Sequence, residues 1–217
     1  MCLKIDQMKA KKELNIPLGV NENGEQEFLD LNKARHILVA GKTGSGKSTF
    51  LHKAIKHLTE NYTKDEVRLF LIDLKQTEFI RYKDYVIYDL EKAKGVLNDL
   101  VNKIKAEFEK EETPTIIILD ECCDLLFDCE TLSLLKTIAA KGRVINANLI
   151  LSTQMFAPDV LVPELKANLQ TRVCFPVADI DDSFLIIHEE GAEKLKTGEF
   201  LYCNPYSDEI KRYKVKC

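Results

Sequence analysis

The octapeptide Gly41-Lys42-Thr43-Gly44-Ser45-Gly46-Lys47-Ser48 constrains this chain more than any other stretch. It satisfies the pattern G-x-x-x-x-G-K-[ST] without mismatch. Before it, His36-Ile37-Leu38-Val39-Ala40 reads as a short buried strand; after it, Leu51, Ala54, Ile55 and Leu58 recur at helical spacing. A strand, a glycine turn and a helix in that order make a phosphate cradle. Glycines let backbone N–H groups converge on phosphate oxygens with no Cβ in the way, and the helix N-terminus adds partial positive charge. Gly41, Thr43, Gly44, Ser45, Gly46, Lys47, Ser48 and Thr49 are therefore the expected ATP-binding segment. Lys47 is directed at the β- and γ-phosphates and the Ser48 hydroxyl at Mg²⁺.

The remaining strands and helices are read from hydrophobic period. Ile16 to Val20, the turn Asn21 to Gly24 and Glu27 to Leu31 predict a hairpin. Val67 to Ile72, ending in Asp73, predicts a buried parallel strand, and Tyr85 to Tyr88 a shorter one. Ala93, Leu97, Leu100, Val101, Ile104 and Phe108 share one helical face, which Thr113-Pro114 ends. Ile116 to Leu119 and Leu149 to Gln154 read as strands, with a helix around Leu134, Leu135 and Ile138 between them that closes near Gly142. Val173 to Phe175 reads as another strand, and the tail from Gly198 to Tyr213 as a pair of them. Strands separated by helices predict an α/β fold, a mostly parallel central sheet with helices on both faces. Residues 1–14 are read as a polar arm and 15–217 as a single domain.

Composition narrows the function classes. The 217 residues are 45% hydrophobic and 30% charged, the balance of a globular domain. No apolar run approaches the ~18 residues of a membrane span, and the first residues lack signal-peptide architecture, so a cytoplasmic location is expected. Net charge is −4, from 31 basic and 35 acidic residues, which argues against coating nucleic acid with the whole surface. The seven cysteines include no C-x-x-C pair. Cys122, Cys123 and Cys129 are read as small buried residues near a strand end, and Cys174 and Cys203 as core.

Four aliphatic residues followed by Asp120-Glu121 place two carboxylates at a strand end. Asp120 is expected to hold Mg²⁺ through a water and Glu121 to orient or deprotonate the attacking water. Gln154, ending the next strand, fits either a sensor of the γ-phosphate or a polar strand end at the surface. Arg143 fits either a helix-terminal cation or a finger entering a neighbour's ATP site.

Taken together, these segments resemble the FtsK/SpoIIIE group of DNA translocases within the FtsK–HerA superfamily. The resemblance rests on Pro17-Leu18-Gly19, His36 to Ser48, Val67 to Lys75, Ile118 to Glu121, Ala140 to Arg143, Leu151 to Gln154, Lys166 to Arg172 and Gly191 to Leu195, spanning about residues 15–205 in order. It implies that residues 15–217 form a single RecA-like P-loop NTPase motor domain, an ATP-hydrolysing homohexameric ring that threads double-stranded DNA. It also implies that Arg143 is the trans-acting arginine and Gln154 the polar sensor, both catalytic with Glu121.

The departures fall on the substrate side. Met155-Phe156-Ala157 stands where the family has Arg-Pro-Ser, and Ile180 and Phe184 where it has a Lys and an Arg, beside Asp179, Asp181 and Asp182. Of the family's pore cations Lys166 remains, and the resemblance makes it the nucleic-acid contact. The membrane segment, linker and winged-helix domain of the family are not in this sequence, so the expectation is a minimal, stand-alone motor that moves or packages duplex DNA, with any membrane or packaging partner separate. Two rivals stay open: a secretion motor of the type VII class with polypeptide cargo, and an ATP-gated assembly scaffold.

Overall fold

A computed structural model describes residues 13–106, 113–158 and 160–216. Ten strands form one sheet in the order β2-β1-β10-β9-β8-β3-β7-β6-β4-β5. Its parallel part holds β3 (Ile37–Ala40), β4 (Arg68–Ile72), β5 (Val86–Ile87), β6 (Thr115–Leu119), β7 (Ala147–Thr153) and β8 (Thr171–Cys174). β3, β6 and β7 are buried at every position, which is why they read as continuous apolar runs and not as alternating ones.

Alternate residues of these strands feed two separate cores. Leu38, Ala40, Ile117, Leu119, Leu149 and Leu151 pack with α3 (Leu90–Lys105), α4 (Cys123–Leu126), α5 (Cys129–Lys141), α6 (Pro163–Lys166) and α7 (Ile180–Ile187). Ile37, Val39, Leu69, Leu71, Ile116, Ile118 and Ile150 pack with α1 (Leu31–Ala34) and α2 (Lys47–Asn61). Helices thus cover both faces, as expected. The Phe108 position of the α3 pattern lies outside the described residues.

The antiparallel part joins two hairpins. β1 (Asn15–Val20) pairs with β2 (Gln26–Asp30) and β9 (Glu199–Asn204) with β10 (Ser207–Lys214), while Val20 opposite Lys214 links them. The first turn closes as its residues predict: Asn21 Oδ1 accepts the N–H groups of Asn23 and Glu25 at 3.0 and 2.9 Å, and Gly24 takes φ 83°. The arm does not extend to residue 14. Leu14 is 4% exposed, and its carbonyl accepts the N–H of Leu31 at 2.8 Å, so that residue belongs to the core.

Asp30, Asp89, Asp128 and Asp179 each cap a helix, their carboxylates accepting N–H groups of the first turn. The Asp179 cap explains the acidic cluster before Phe184. Asp179, Asp181 and Asp182 crowd the N-terminus of α7, where negative charge suits the helix dipole.

Candidate nucleotide site

The cradle forms where β3 turns into α2. Gly41 takes φ 150°, and a Cβ there would lie 2.6 Å from Cβ of Phe175, so the first glycine is imposed by packing. Gly46 caps α2 at φ 119°, where a Cβ would approach Cα of Gly198 to 3.1 Å. Gly198 also donates its N–H to the Ser45 carbonyl at 2.8 Å, bracing the loop from the entry to β9. Ser45 Oγ is buried without a partner. The Lys47 ammonium folds back on the carbonyl oxygens of Gly41 and Lys42 at 2.6 and 3.0 Å. Burial draws its pKa down, while Glu121, Asp120 and Glu78 oppose that shift. An orphaned hydroxyl and a lysine bonded only to its own loop fit a cradle whose ligand is an anion.

The carboxylates arrive from β6 and the sensor from β7, which lies between β3 and β6. Asp120 is held up to about 6, first by burial and then by the charge of Glu78. Glu121 adopts φ 45°, rare for a residue with a side chain. The backbone N–H of Gln154 faces Glu121 Oε1 at 3.5 Å, and Thr43 Oγ1 donates to Gln154 Oε1. These groups share a cleft of about 330 Å³ with Gly44, Ser45, Gly46, Lys47, Ser48 and Thr49. Gly41 supports this cleft without lining it. The Ser48 hydroxyl and Asp120 carboxylate supply hard oxygen donors, the type Mg²⁺ takes alongside phosphate oxygens and water.

Sequence reading missed Lys75, Thr77, Glu78 and Thr197, which also line the cleft. The signal for the first three was the β4 apolar run ending at Asp73, since loops after parallel strands carry the ligand groups in such sheets. Asp73 is 1% exposed, and its carboxylate shapes that loop by accepting the N–H groups of Glu78 and Phe79.

Two of the expected site residues lie elsewhere. Arg143 is exposed in the 3₁₀ turn Gly142–Ile145, which precedes β7, whereas Gln154 follows it. Seven strand residues at ~3.3 Å each put roughly 20 Å between them. Arg143 shares a separate polar cleft with Arg35, Asn146, Asn148, Asn168 and Gln170. Lys166, half-buried at the end of α6, donates to the Leu185 carbonyl, and Arg172 Nη1 donates to that of Ile186 at 2.7 Å. Both cations cap the C-terminal end of α7.

The cysteines divide. Cys122 and Cys123 are buried as expected, and burial pushes the Cys123 thiol up to about 11. Cys129 is exposed at the start of α5, which corrects its reading as a buried residue, and Cys203 is only half-buried.

A phosphate cradle after β3, paired carboxylates after β6 and a polar sensor after the strand between them define a RecA-like P-loop ATPase. Within that class the chain belongs to the FtsK/SpoIIIE family, whose model matches residues 4–109. It is 34% identical over 242 residues to the DNA translocase FtsK of Leptospira interrogans, covering 94% of this chain and 25% of that protein. The chain therefore spans about a quarter of that relative. Among solved structures, the pCW3 conjugation coupling protein TcpA, determined with ATPγS, superposes with a TM-score of 0.79 at 23% identity, over 95% of this chain and 66% of that one. The cytoplasmic domain of the Thermomonospora curvata type VII secretion ATPase EccC also gives 0.79, at 18% identity, over 95% of this chain and 26% of that one. Among the described residues no helix is long and apolar enough to cross a membrane.

Proposed function

We propose that the chain hydrolyses ATP to drive translocation of double-stranded DNA, working as a homohexameric ring. The convergence of Lys47, Asp120, Glu121 and Gln154 on one cleft is the observation that carries this reading. Lys47 leaves the carbonyls of Gly41 and Lys42 for phosphate oxygens, and the backbone N–H groups of residues 43–48 hold the remainder. Ser48 and Asp120 would hold Mg²⁺, which would supply positive charge against the phosphates. Glu121 orients the attacking water and accepts its proton, a role that needs position more than covalent chemistry. Gln154 ties the cradle to that carboxylate. Arg143, far from its own cleft and exposed, completes the site of the next subunit.

The DNA assignment is supported by the family and by the name of the Leptospira relative. One observation favours a polypeptide cargo instead. Ile180 and Phe184, one turn apart on α7, are 43% and 48% exposed, and Met155 after the sensor is 47% exposed. These stand at positions where the resemblance leads one to expect cations.

The test is ATP turnover with and without linear duplex DNA, single-stranded DNA and an unfolded polypeptide. Duplex DNA is expected to stimulate turnover. Glu121→Gln is expected to keep nucleotide binding while lowering turnover at least about 100-fold, and Lys47→Ala to weaken binding itself. Wild-type turnover in Glu121→Gln overturns the catalytic assignment, and stimulation by polypeptide alone replaces the cargo.

A further inference from the structure

The loop after β4 brings a third carboxylate into the cleft. Glu78 lines it together with Ser48, Lys47, Asp120 and Glu121. Its place is fixed from several directions. Asp73 accepts the N–H groups of Glu78 and Phe79 at 2.8 and 3.0 Å, and fully buried Phe79 anchors the loop in the core beneath α2. The Glu78 carboxylate is 3.1 Å from His52 Nε2. His52 stands four residues after Ser48 on α2, so both side chains share the helix face toward this loop. Tyr82 OH lies 3.3 Å from both His52 Nδ1 and the His52 carbonyl oxygen. An ionised Glu78 carboxylate can only accept, so Nε2–H donates to it, and the single hydrogen of the Tyr82 hydroxyl goes to the His52 carbonyl oxygen.

Such a tie has a cost. Glu78 is held near Asp73, Asp120 and Glu121, and like charges in a half-buried site repel. A fold with no use for the charge gains nothing from an acid there.

We propose that Glu78 is a positioning residue of the nucleotide site, its carboxylate accepting a hydrogen bond from water in the shell of the Mg²⁺ held by Ser48 and Asp120, with His52 and Tyr82 keeping it so turned. This rests on the Mg²⁺·ATP reading above. A carboxylate that bonds such a water fixes its orientation and through it the ion. It also explains why the loop is tied to α2, the helix that carries Ser48.

The test is the affinity of a fluorescent, slowly hydrolysed ATP analogue, measured on the full chain in Mg²⁺ and in EDTA. The wild-type protein is expected to bind at least tenfold more tightly with Mg²⁺. Glu78→Gln is expected to narrow that ratio at least fivefold, through weaker binding in Mg²⁺ and unchanged or tighter binding in EDTA, since one repelling charge is gone. Tyr82→Phe, which removes a single hydroxyl, is expected to narrow it about twofold, and carries the test if Glu78→Gln does not fold. A wild-type ratio in both variants overturns the assignment, as does an equal loss in both media, which marks a purely structural tie. A wild-type protein indifferent to Mg²⁺ overturns the Mg²⁺·ATP reading itself and Glu78 with it.

Discussion

Thr43 in the cradle donates its hydroxyl hydrogen to the side-chain oxygen of Gln154, 111 residues further along the chain. Gln154 turns its backbone N–H toward Glu121. The cradle and the Glu121 carboxylate are thus joined through one glutamine at the end of β7. On the proposed reading, a phosphate entering the cradle competes for the Thr43 hydroxyl and frees the Gln154 amide to meet it.

Gln154→Ala is therefore expected to leave nucleotide affinity within about threefold while lowering turnover roughly 10- to 100-fold, no more than the loss for one positioned donor. Equilibrium binding of a nucleotide analogue and steady-state turnover on the same preparation separate the two effects. Equal loss in both would make Gln154 a binding residue and not a sensor.

Arg143 stands at the opposite end of β7 from Gln154, exposed and outside its own cleft. A finger acting in trans makes the active site a property of the interface. Specific activity should then rise with protein concentration, and Arg143→Ala alone should lose at least about 100-fold. Mixing inactive Arg143→Ala with inactive Glu121→Gln should restore part of the activity, because some interfaces carry both intact groups. Turnover by a strict monomer, independent of concentration, is the outcome that rules this out.

His36 begins the chain's approach to β3 and is 5% exposed, with Nδ1 accepting the N–H of Leu149 at 3.0 Å. Burial, aided by the charge of Arg35, lowers its pKa to about 4 from the usual 6.5. The folded protein keeps this ring neutral where the unfolded chain would protonate it. Its contribution is full above about pH 6.5 and is lost as pH falls toward 4, by about 3 kcal/mol in total and about 2 kcal/mol between pH 7.5 and 5. In His36→Asn, whose side-chain oxygen can still accept from Leu149, urea unfolding should show that much less destabilisation over the same interval. Parallel losses in the two proteins would place the acid sensitivity elsewhere.

The cradle and the parallel strands were legible because each carries a local signal. Gly41, Gly46 and Lys47 sit at fixed spacing, and β3, β6 and β7 are buried on both faces, so their sequences are apolar without interruption. The pairing of Val20 with Lys214 left no such trace, since contacts this distant depend on the whole sheet. The left-handed backbone of Glu121 was equally silent, because no glycine or asparagine marks it. Glu78 and His52 lie 26 residues apart, and only the Asp73-shaped loop brings them together. Asp179 carried no decisive signal either, because a capping carboxylate looks like any other until the helix behind it is seen.

Lys166 tests the DNA reading most directly. One lysine per subunit in a ring of six gives at most ~6 phosphate contacts, hence a slope of about −5 in log K against log[salt], and a shallower one if only some subunits touch the strand. Contacts to the backbone position the duplex without specifying sequence. The ammonium is already engaged with the Leu185 carbonyl at the C-terminal end of α7, and burial together with Arg172 draws its pKa down. To meet a phosphate it must leave that carbonyl or share its remaining hydrogens, so binding should be weak and measurable mainly at low salt. Lys166→Glu should abolish stimulation of turnover by duplex DNA while leaving basal turnover nearly unchanged, but it also sets a negative charge at a helix C-terminus, worth about 1 kcal/mol of stability. Lys166→Gln separates these effects, because its amide still donates to a carbonyl and carries no charge. Loss of duplex stimulation in Lys166→Gln, with an unfolding midpoint close to wild type, assigns the lysine to the cargo. Full stimulation in that variant makes Lys166 a cap of α7, and the DNA contact must then be sought on another surface.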